Sequence, residues 1–432
     1  MPVLTLAVLT PLVIAFLVVS FREPIRVALP LYAALLPLGS GLSVGPSAFG
    51  SVSSLLGITL GMALLTQLVT LRRSVGRIPA SVPVWLGFLG LAGASVFWSV
   101  SPQVTASSFP ILASLILLYL LLVLVGIDRA ELVRTELALV VGGVLAAGYG
   151  LAQLLILGGL PTGEGASPRF GEGLLGPDNE AAALLLPLAI ALAHSVAHEG
   201  GRRWAFAGAA AVLLAGIVLT GSRGGLLAAV VVMLTLIAVI RRGRRRLLGY
   251  VAAGLLLLGV LLVANPGGVG QRQVNAGADS SGRSEIWTVG LSACKTYCLT
   301  GSGWGTFPQV YAAEQAEALS ARVLPKGTNF EPHSIWLLAG VEAGLGGLLL
   351  VVTGLGLSLG TALRLPAHLR GPPLAGLLGT ISAGIFLSDL EFKFFWMVLA
   401  YVAMAHQVAQ IESMAVRNSR VREFEAQTSA AP

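Results

Sequence analysis

The chain has 432 residues, 55% of them hydrophobic and 11% charged, with a mean hydropathy of +0.85. So little charge cannot cover a soluble protein of this length, and repeated apolar runs of about 17 to 25 residues are what a bilayer core demands of helices. A soluble enzyme is excluded, and the net charge of +7 reads as orientation signals and membrane-lipid contacts, with no nucleic acid implied.

In chain order, breaks at charged, Gly and Pro clusters predict thirteen candidate spans: 5–20, 25–39, 52–70, 82–99, 107–126, 135–158, 180–197, 204–221, 224–240, 247–264, 333–361, 373–389 and 394–411. Residues 25–39 are short and carry Pro30 and Pro37. One of the first two segments is therefore expected to lie in the interface or enter only partway, leaving about twelve full spans. The runs are apolar all round and too long for barrel strands, so the fold class is an all-α polytopic transmembrane helix bundle. Its 54 glycines suit close helix contacts in lipid. The first helix is expected to serve as the targeting signal, since no basic leader or cleavage site precedes it.

Four regions are expected: an N-terminal transmembrane bundle (1–264), a large polar outward loop (265–332), C-terminal transmembrane helices (333–412) and a frayed cytoplasmic tail (413–432). Arg22, Arg26, Arg72, Arg73, Arg77, Arg129 and Arg134 fall in every second connection, followed by Arg202, Arg203, the Arg241–Arg246 cluster, Arg364 and Arg370. With Arg417, Arg420 and Arg422 in the tail these are 19 of the 27 basic residues, and they mark the cytoplasmic face. The 265–332 segment then faces outward.

Chemistry-bearing residues collect on that outward side. Arg223 lies in LTGSRGGLLA, where 204–240 would be about 55 Å long as one helix and must turn back at its glycines. A guanidinium there needs a partner or water and suits a phosphate, although snorkelling to headgroups is the plain alternative. Arg169 precedes a Gly176-Pro177-Asp178-Asn179 turn into a helix, with Asn179 and Glu180 at its start; this reads as an anion-favouring helix end or as a simple cap. Arg283 opens the block SGRSEIW, a phosphate contact or a solvated loop charge. Gly301, Gly303 and Gly305 follow, able to fold tightly or to approach a ligand. The opening of the 265–332 loop reads as a flexible, Gly-rich stretch. His333 stands where the apolar run resumes and could act as a general base. Glu342 lies deeper, out of phase with His333, and is expected to meet a basic group on a neighbouring helix. Cys294 and Cys298 are expected to be free thiols, because a spacing of four on a helix gives marginal disulfide geometry. No HExxH, Walker loop or CxxC pair is present, so no metal or other cofactor is expected.

Taken together, RFGEGLLGPDNEAAALL, LTGSRGGLLA, SGRSEIW with GSGWGTF, and EPHSIWLLAGVEAGLGG resemble the O-antigen ligase family of bacterial envelope glycosyltransferases, shared with the O-antigen polymerases. The sequence departs at Ser334, where the family usually has Asn, and at Asp178 within the turn. The resemblance implies a class C glycosyltransferase-like bundle in the bacterial inner membrane, with its site on the periplasmic side. It implies a metal-independent inverting transfer of a glycan from undecaprenyl pyrophosphate to a sugar hydroxyl of lipid A core, in lipopolysaccharide assembly. It also implies His333 and Arg283 as catalytic residues and Arg223, Arg283 and Arg169 as pyrophosphate contacts, supported by Asn179, Glu342, Gly303 and Gly305. The alternatives are an O-antigen polymerase and, from a different class, a transporter or lipid flippase.

Overall fold

A computed structural model describes residues 2–43, 45, 49–70, 72, 78–157, 169–264, 283–318 and 330–429. Arg73 and Arg77, the connection 158–168, and the segments 265–282, which includes the expected flexible stretch, and 319–329 lie outside the described residues. Among those described, the chain is helical with no β-strand.

The helices are α1 (Pro2–Arg22), α2 (Leu29–Leu35), α3 (Val52–Val69), α4 (Ser81–Ala94), α5 (Pro102–Leu124), α6 (Arg129–Leu157), α7 (Pro177–Ala183), α8 (Leu185–Ala197), α9 (Gly200–Leu219), α10 (Arg223–Val239), α11 (Arg244–Ala264), α12 (Arg283–Tyr297), α13 (Phe307–Ala318), α14 (Ile335–Glu342), α15 (Gly344–Arg364), α16 (Ala367–Ala383) and α17 (Lys393–Ser429). Seven helical stretches are long and apolar enough to cross a membrane, and four shorter apolar helices accompany them. The protein is a multi-pass membrane protein.

Long-range hydrogen bonds sort the connections into two ends. At one, Gln67 Nε2 donates to the Arg22 carbonyl (2.8 Å), Arg26 lies 3.7 Å from Glu131, and His194 meets Glu136 at 2.8 Å. This end carries the basic connections. At the other, the Val100 amide donates to Ser302 O (2.9 Å), the Phe170 amide to Leu219 O (3.1 Å), and the Ile335 amide to Gly384 O (2.9 Å). Three helices that start at this second end are capped in the same way, each by a serine hydroxyl accepting a backbone N–H: Ser51 from Ser54, Ser222 from Gly225, and Ser334 from Leu337. The caps satisfy donors that the first helical turn leaves orphaned.

Several expectations change. Residues 24–42 run from the basic end, where Arg26 sits, to the opposite end, where Gly39 and Gly41 abut Leu174 and Leu175. They do so through a π turn (Pro24–Ala28), α2 and a 3-10 turn (Leu36–Leu42), so the prolines bend this segment without keeping it from reaching the far end. The expected span 333–361 is broken into α14 and α15 at Gly344, whose φ of 70° no helix interior accepts. The tail is not frayed: α17 continues to Ser429, because residues 393–429 contain neither Gly nor Pro.

The polar segment is more than a loop. α12 and α13 enclose a small apolar centre of Ile286, Val289, Ala293, Phe307, Val310 and Tyr311, closed from below by Val341. Cys294 and Cys298 are joined by a disulfide, with Cα atoms 4.4 Å apart, which corrects the expected free thiols; one helical turn brings the Cα pair just within bonding range. This two-helix cap is fastened to the bundle by Trp304, fully buried and edge-on to Phe88 at 5.7 Å.

Candidate active site

The site grows from the turn between α6 and α7. Gly176 adopts φ 83°, a conformation open to glycine, and starts α7 so that Asp178 falls in its first turn. Asn179 donates back to the Leu175 carbonyl (3.2 Å) and holds the turn; its side chain serves the local backbone.

Asp178 then does what the sequence reading missed. Its Oδ1 accepts from Arg169 Nη2 at 2.9 Å and its Oδ2 from Arg283 Nη2 at 3.0 Å, so one carboxylate ties together cations 114 positions apart in sequence. Arg169 is oriented further by its Nε, which donates to the Thr220 carbonyl at 2.7 Å. That bond draws the α9–α10 turn against the arginines, and Ser222 of the turn also interacts with Asp178. Arg223 follows at the first position of α10. Its side chain is exposed and, among the described residues, makes no hydrogen bond or ion pair. Each guanidinium has five N–H donors, and Asp178 takes one from Arg169 and one from Arg283.

His333 faces this group from the start of α14. Its imidazole is held below the ordinary value of 6.5, chiefly by burial and next by the Arg283 charge, with Asp178 pulling the other way. It is therefore largely neutral at neutral pH and able to accept a proton. His333 also has φ 45°, which no other non-glycine residue among those described shares in sign. A strained backbone at this position means the fold holds the imidazole against local preference. α12 sets Arg283 opposite it: Gly290 lets the helix close on Leu337 of α14, and Trp287 stacks on Phe386 at 6.1 Å, which in turn abuts Gly224. The four residues expected from separate parts of the chain thus share one rim.

Glu342 belongs to the support. It is buried and accepts from the backbone amides of Gly305 (2.7 Å) and Phe307 (2.8 Å), so its partners are main-chain donors rather than the basic side chain expected. Gly303 and Gly305 pack directly on Ser99 and Ser108, where a Cβ would come within 2.2 and 2.4 Å of the hydroxyls. Of the two uses open to these glycines, the structure takes tight packing, and it does so to seat Trp304. A Gly-Trp-Gly string with a buried carboxylate downstream was the available signal. Beyond this wall, Glu391 is pushed up to about 7 and Asp389 to about 8, both mainly by burial, with the Glu331 carboxylate adding to the shift at Glu391. Among the described residues, no three His, Cys, Asp or Glu side chains gather closely enough to hold a metal ion.

Arginines and an imidazole able to accept a proton thus converge at one end of a multi-pass helical membrane bundle, an arrangement suited to an anionic group. Residues 208–352, about a third of the chain, match the O-antigen ligase family model. The matched stretch contains Arg223, Arg283, His333 and Glu342, while Arg169 and Asp178 lie before it. No individually curated protein matches the sequence.

Proposed function

We propose that the protein is an O-antigen ligase that transfers a glycan from undecaprenyl pyrophosphate to a sugar hydroxyl of lipid A core, at the periplasmic face of the bacterial inner membrane. The observation that carries this reading is the Arg169–Asp178–Arg283 bridge facing His333 beside the exposed Arg223. Basic connections crowd the other end of the bundle, which supports an outward site. The alternation of helices between the two ends supports thirteen crossings, one more than the sequence reading favoured, in a class C glycosyltransferase-like bundle.

The reaction is a single displacement. The acceptor oxygen attacks the anomeric carbon while His333 takes its proton. The bond from that carbon to the pyrophosphate oxygen breaks, its electrons stay on the departing diphosphate, and the anomeric configuration inverts. Arg223, Arg283 and Arg169 meet the charge that grows on the leaving group, which is where preorganised donors contribute most. Cationic side chains take the part a divalent ion plays in other transferases, so the reading is metal-independent.

The test uses purified protein in nanodiscs, lipid-linked glycan as donor and excess chelator, with lipid A core and a second lipid-linked repeat unit offered in parallel. Transfer to lipid A core supports the ligase. Transfer only to the second repeat unit assigns the polymerase, which shares the donor chemistry. Donor transport in sealed vesicles with no transfer to either acceptor overturns both.

A further inference from the structure

Far from the arginine rim, at the basic end of the bundle, one guanidinium is held by aromatic side chains. Arg203, in the first turn of α9, donates from Nε to the Tyr250 hydroxyl of α11 at 2.7 Å. Its guanidinium carbon lies 4.7 Å from the centre of the Trp204 ring and 5.9 Å from that of Tyr250. Two rings and a hydroxyl therefore fix the plane of the group. Among the described residues no carboxylate meets it, so every N–H donor on its two Nη atoms is unspent.

The charge around this clamp is one-sided. Gly243 brings the α10–α11 turn against Val196 at the end of α8, and the turn presents Arg241, Arg242, Arg244, Arg245 and Arg246, all exposed. Among the described residues none of the five has an ion pair. Arg202 is exposed beside Arg203, and Glu199 is the one acidic residue in the sequence between positions 181 and 264. Orientation in a membrane asks only for positive charge, from lysine as readily as from arginine, and for no fixed side-chain plane. A guanidinium preorganised between rings, with a free planar edge, is built for a phosphate.

Depth selects the source of that phosphate. Arg203 lies near the start of Gly200–Leu219, a helix long and apolar enough to cross a membrane, at the level where headgroup phosphates lie. Trp204 is 64% exposed, and Leu248 near the start of α11 is 47% exposed. Apolar surface for acyl chains thus borders the clamp, and an exposed tryptophan at the end of a span is an interfacial anchor.

We propose that the cleft between the basic ends of α9 and α11 binds the phosphate of an anionic phospholipid, with the Nη edge of Arg203 on the phosphate and the Arg241–Arg246 turn selecting a headgroup of net negative charge. A zwitterionic lipid carries the same phosphate but gains little from the surrounding field. Bound there, the lipid bridges α9 to α11. The inference goes beyond the glycan-transfer reading and uses none of the residues of the arginine rim.

The experiment titrates the delipidated full chain in detergent micelles with dioleoyl phosphatidylglycerol, dioleoyl phosphatidylcholine or inorganic phosphate, and counts bound lipid by native mass spectrometry. Phosphatidylglycerol is expected to bind saturably and more tightly than phosphatidylcholine, to resist displacement by inorganic phosphate, and to raise the unfolding temperature of the wild type. Arg203→Gln should weaken its binding by about tenfold, as loss of a charge-assisted contact does, and should abolish the thermal shift. Arg203→Lys should not restore either, because an ammonium has no planar edge. Tyr250→Phe, which keeps the ring and releases Nε, should cost about threefold. Arg202→Gln removes the same charge one residue away and should leave affinity nearly unchanged. Equal affinity for the two lipids, full affinity in Arg203→Lys, or equal losses in Arg202→Gln and Arg203→Gln overturns the proposal. Displacement by inorganic phosphate assigns the clamp to a soluble phosphate and overturns the lipid. If Arg203→Gln does not fold, Arg203→Lys and Tyr250→Phe decide the matter by the same readings.

Discussion

The two ends of the bundle handle buried charge in opposite ways. At the basic end, Glu136 is saturated: Tyr401 donates to Oε1 at 2.6 Å and His194 meets Oε2 at 2.8 Å, with the imidazole stacked on Phe206. At the site end, Arg169 and Arg283 share one bridging carboxylate, and among the described residues Arg223 has no hydrogen-bond or ion-pair partner and the fully buried carboxyl groups of Glu180 and Asp389 make no hydrogen bond. A closed polar network rigidifies a fold, whereas charge left open is expensive to keep and marks a place where something binds.

The contrast is most exposed at His333. His333→Ala is expected to slow glycan transfer by about 10²- to 10⁴-fold, the usual worth of a general base, with donor binding retained. Full activity would remove the imidazole from the chemistry. Arg283→Ala should cost about 10²- to 10³-fold in kcat/KM, as loss of a preorganised charge donor does. Arg283→Lys should not restore it, because an ammonium cannot both hold Asp178 and present a planar fork; full rescue by lysine would reduce Arg283 to a point charge. At the opposite end, Glu136→Gln should lower stability by about 1–3 kcal/mol through one unpaired buried group and leave turnover per folded molecule unchanged. A fall in turnover there would erase the distinction between the ends.

A subtler effect concerns pH. His333 must be neutral to accept a proton, and burial with Arg283 lowers its titration, so kcat/KM should stay high as pH falls past 6.5 and decline only below it. In Asp178→Asn the charge that raises the imidazole is gone, and the acidic limb should move lower still. A limb at or above 6.5 in the wild type would contradict the environment described. Asp389 gives the smallest signal, in stability. Its carboxyl is raised to about 8 when folded, so the unfolded chain ionises first and stability drains away as pH rises from about 4 to about 8. Asp389→Asn should unfold a few degrees higher at pH 8 and match the wild type near pH 4.

Much of this layout could be read without coordinates, because charge and hydropathy act over long stretches. The basic connections on one end, and Arg169, Arg223, Arg283 and His333 on the other, follow from where apolar runs start and stop. Contacts that depend on a single interatomic geometry were not legible. Asp178 looked like a cap residue because nothing local shows that Arg283, 105 positions away, reaches the same carboxylate. Arg203 and Tyr250 are similarly remote in sequence. The disulfide turned on a Cα separation at the edge of the permitted range. The helices of the cap were obscured by a composition poor in long apolar runs, their shared centre being assembled from two short stretches and the underside of α14.

The seating of Trp304 bears on how the proposed transfer would turn over. Glycine-rich strings are often hinges, but Gly301, Gly303 and Gly305 are wedged against Glu342, Ser99 and Ser108 with the indole riveted beneath them. A cap clamped at that point cannot swing away as one piece. On the donor proposed above, the spent polyprenyl diphosphate is then expected to depart by sliding sideways into the bilayer, and the rate of a cycle to be set by lateral lipid exchange rather than by a door opening above the site.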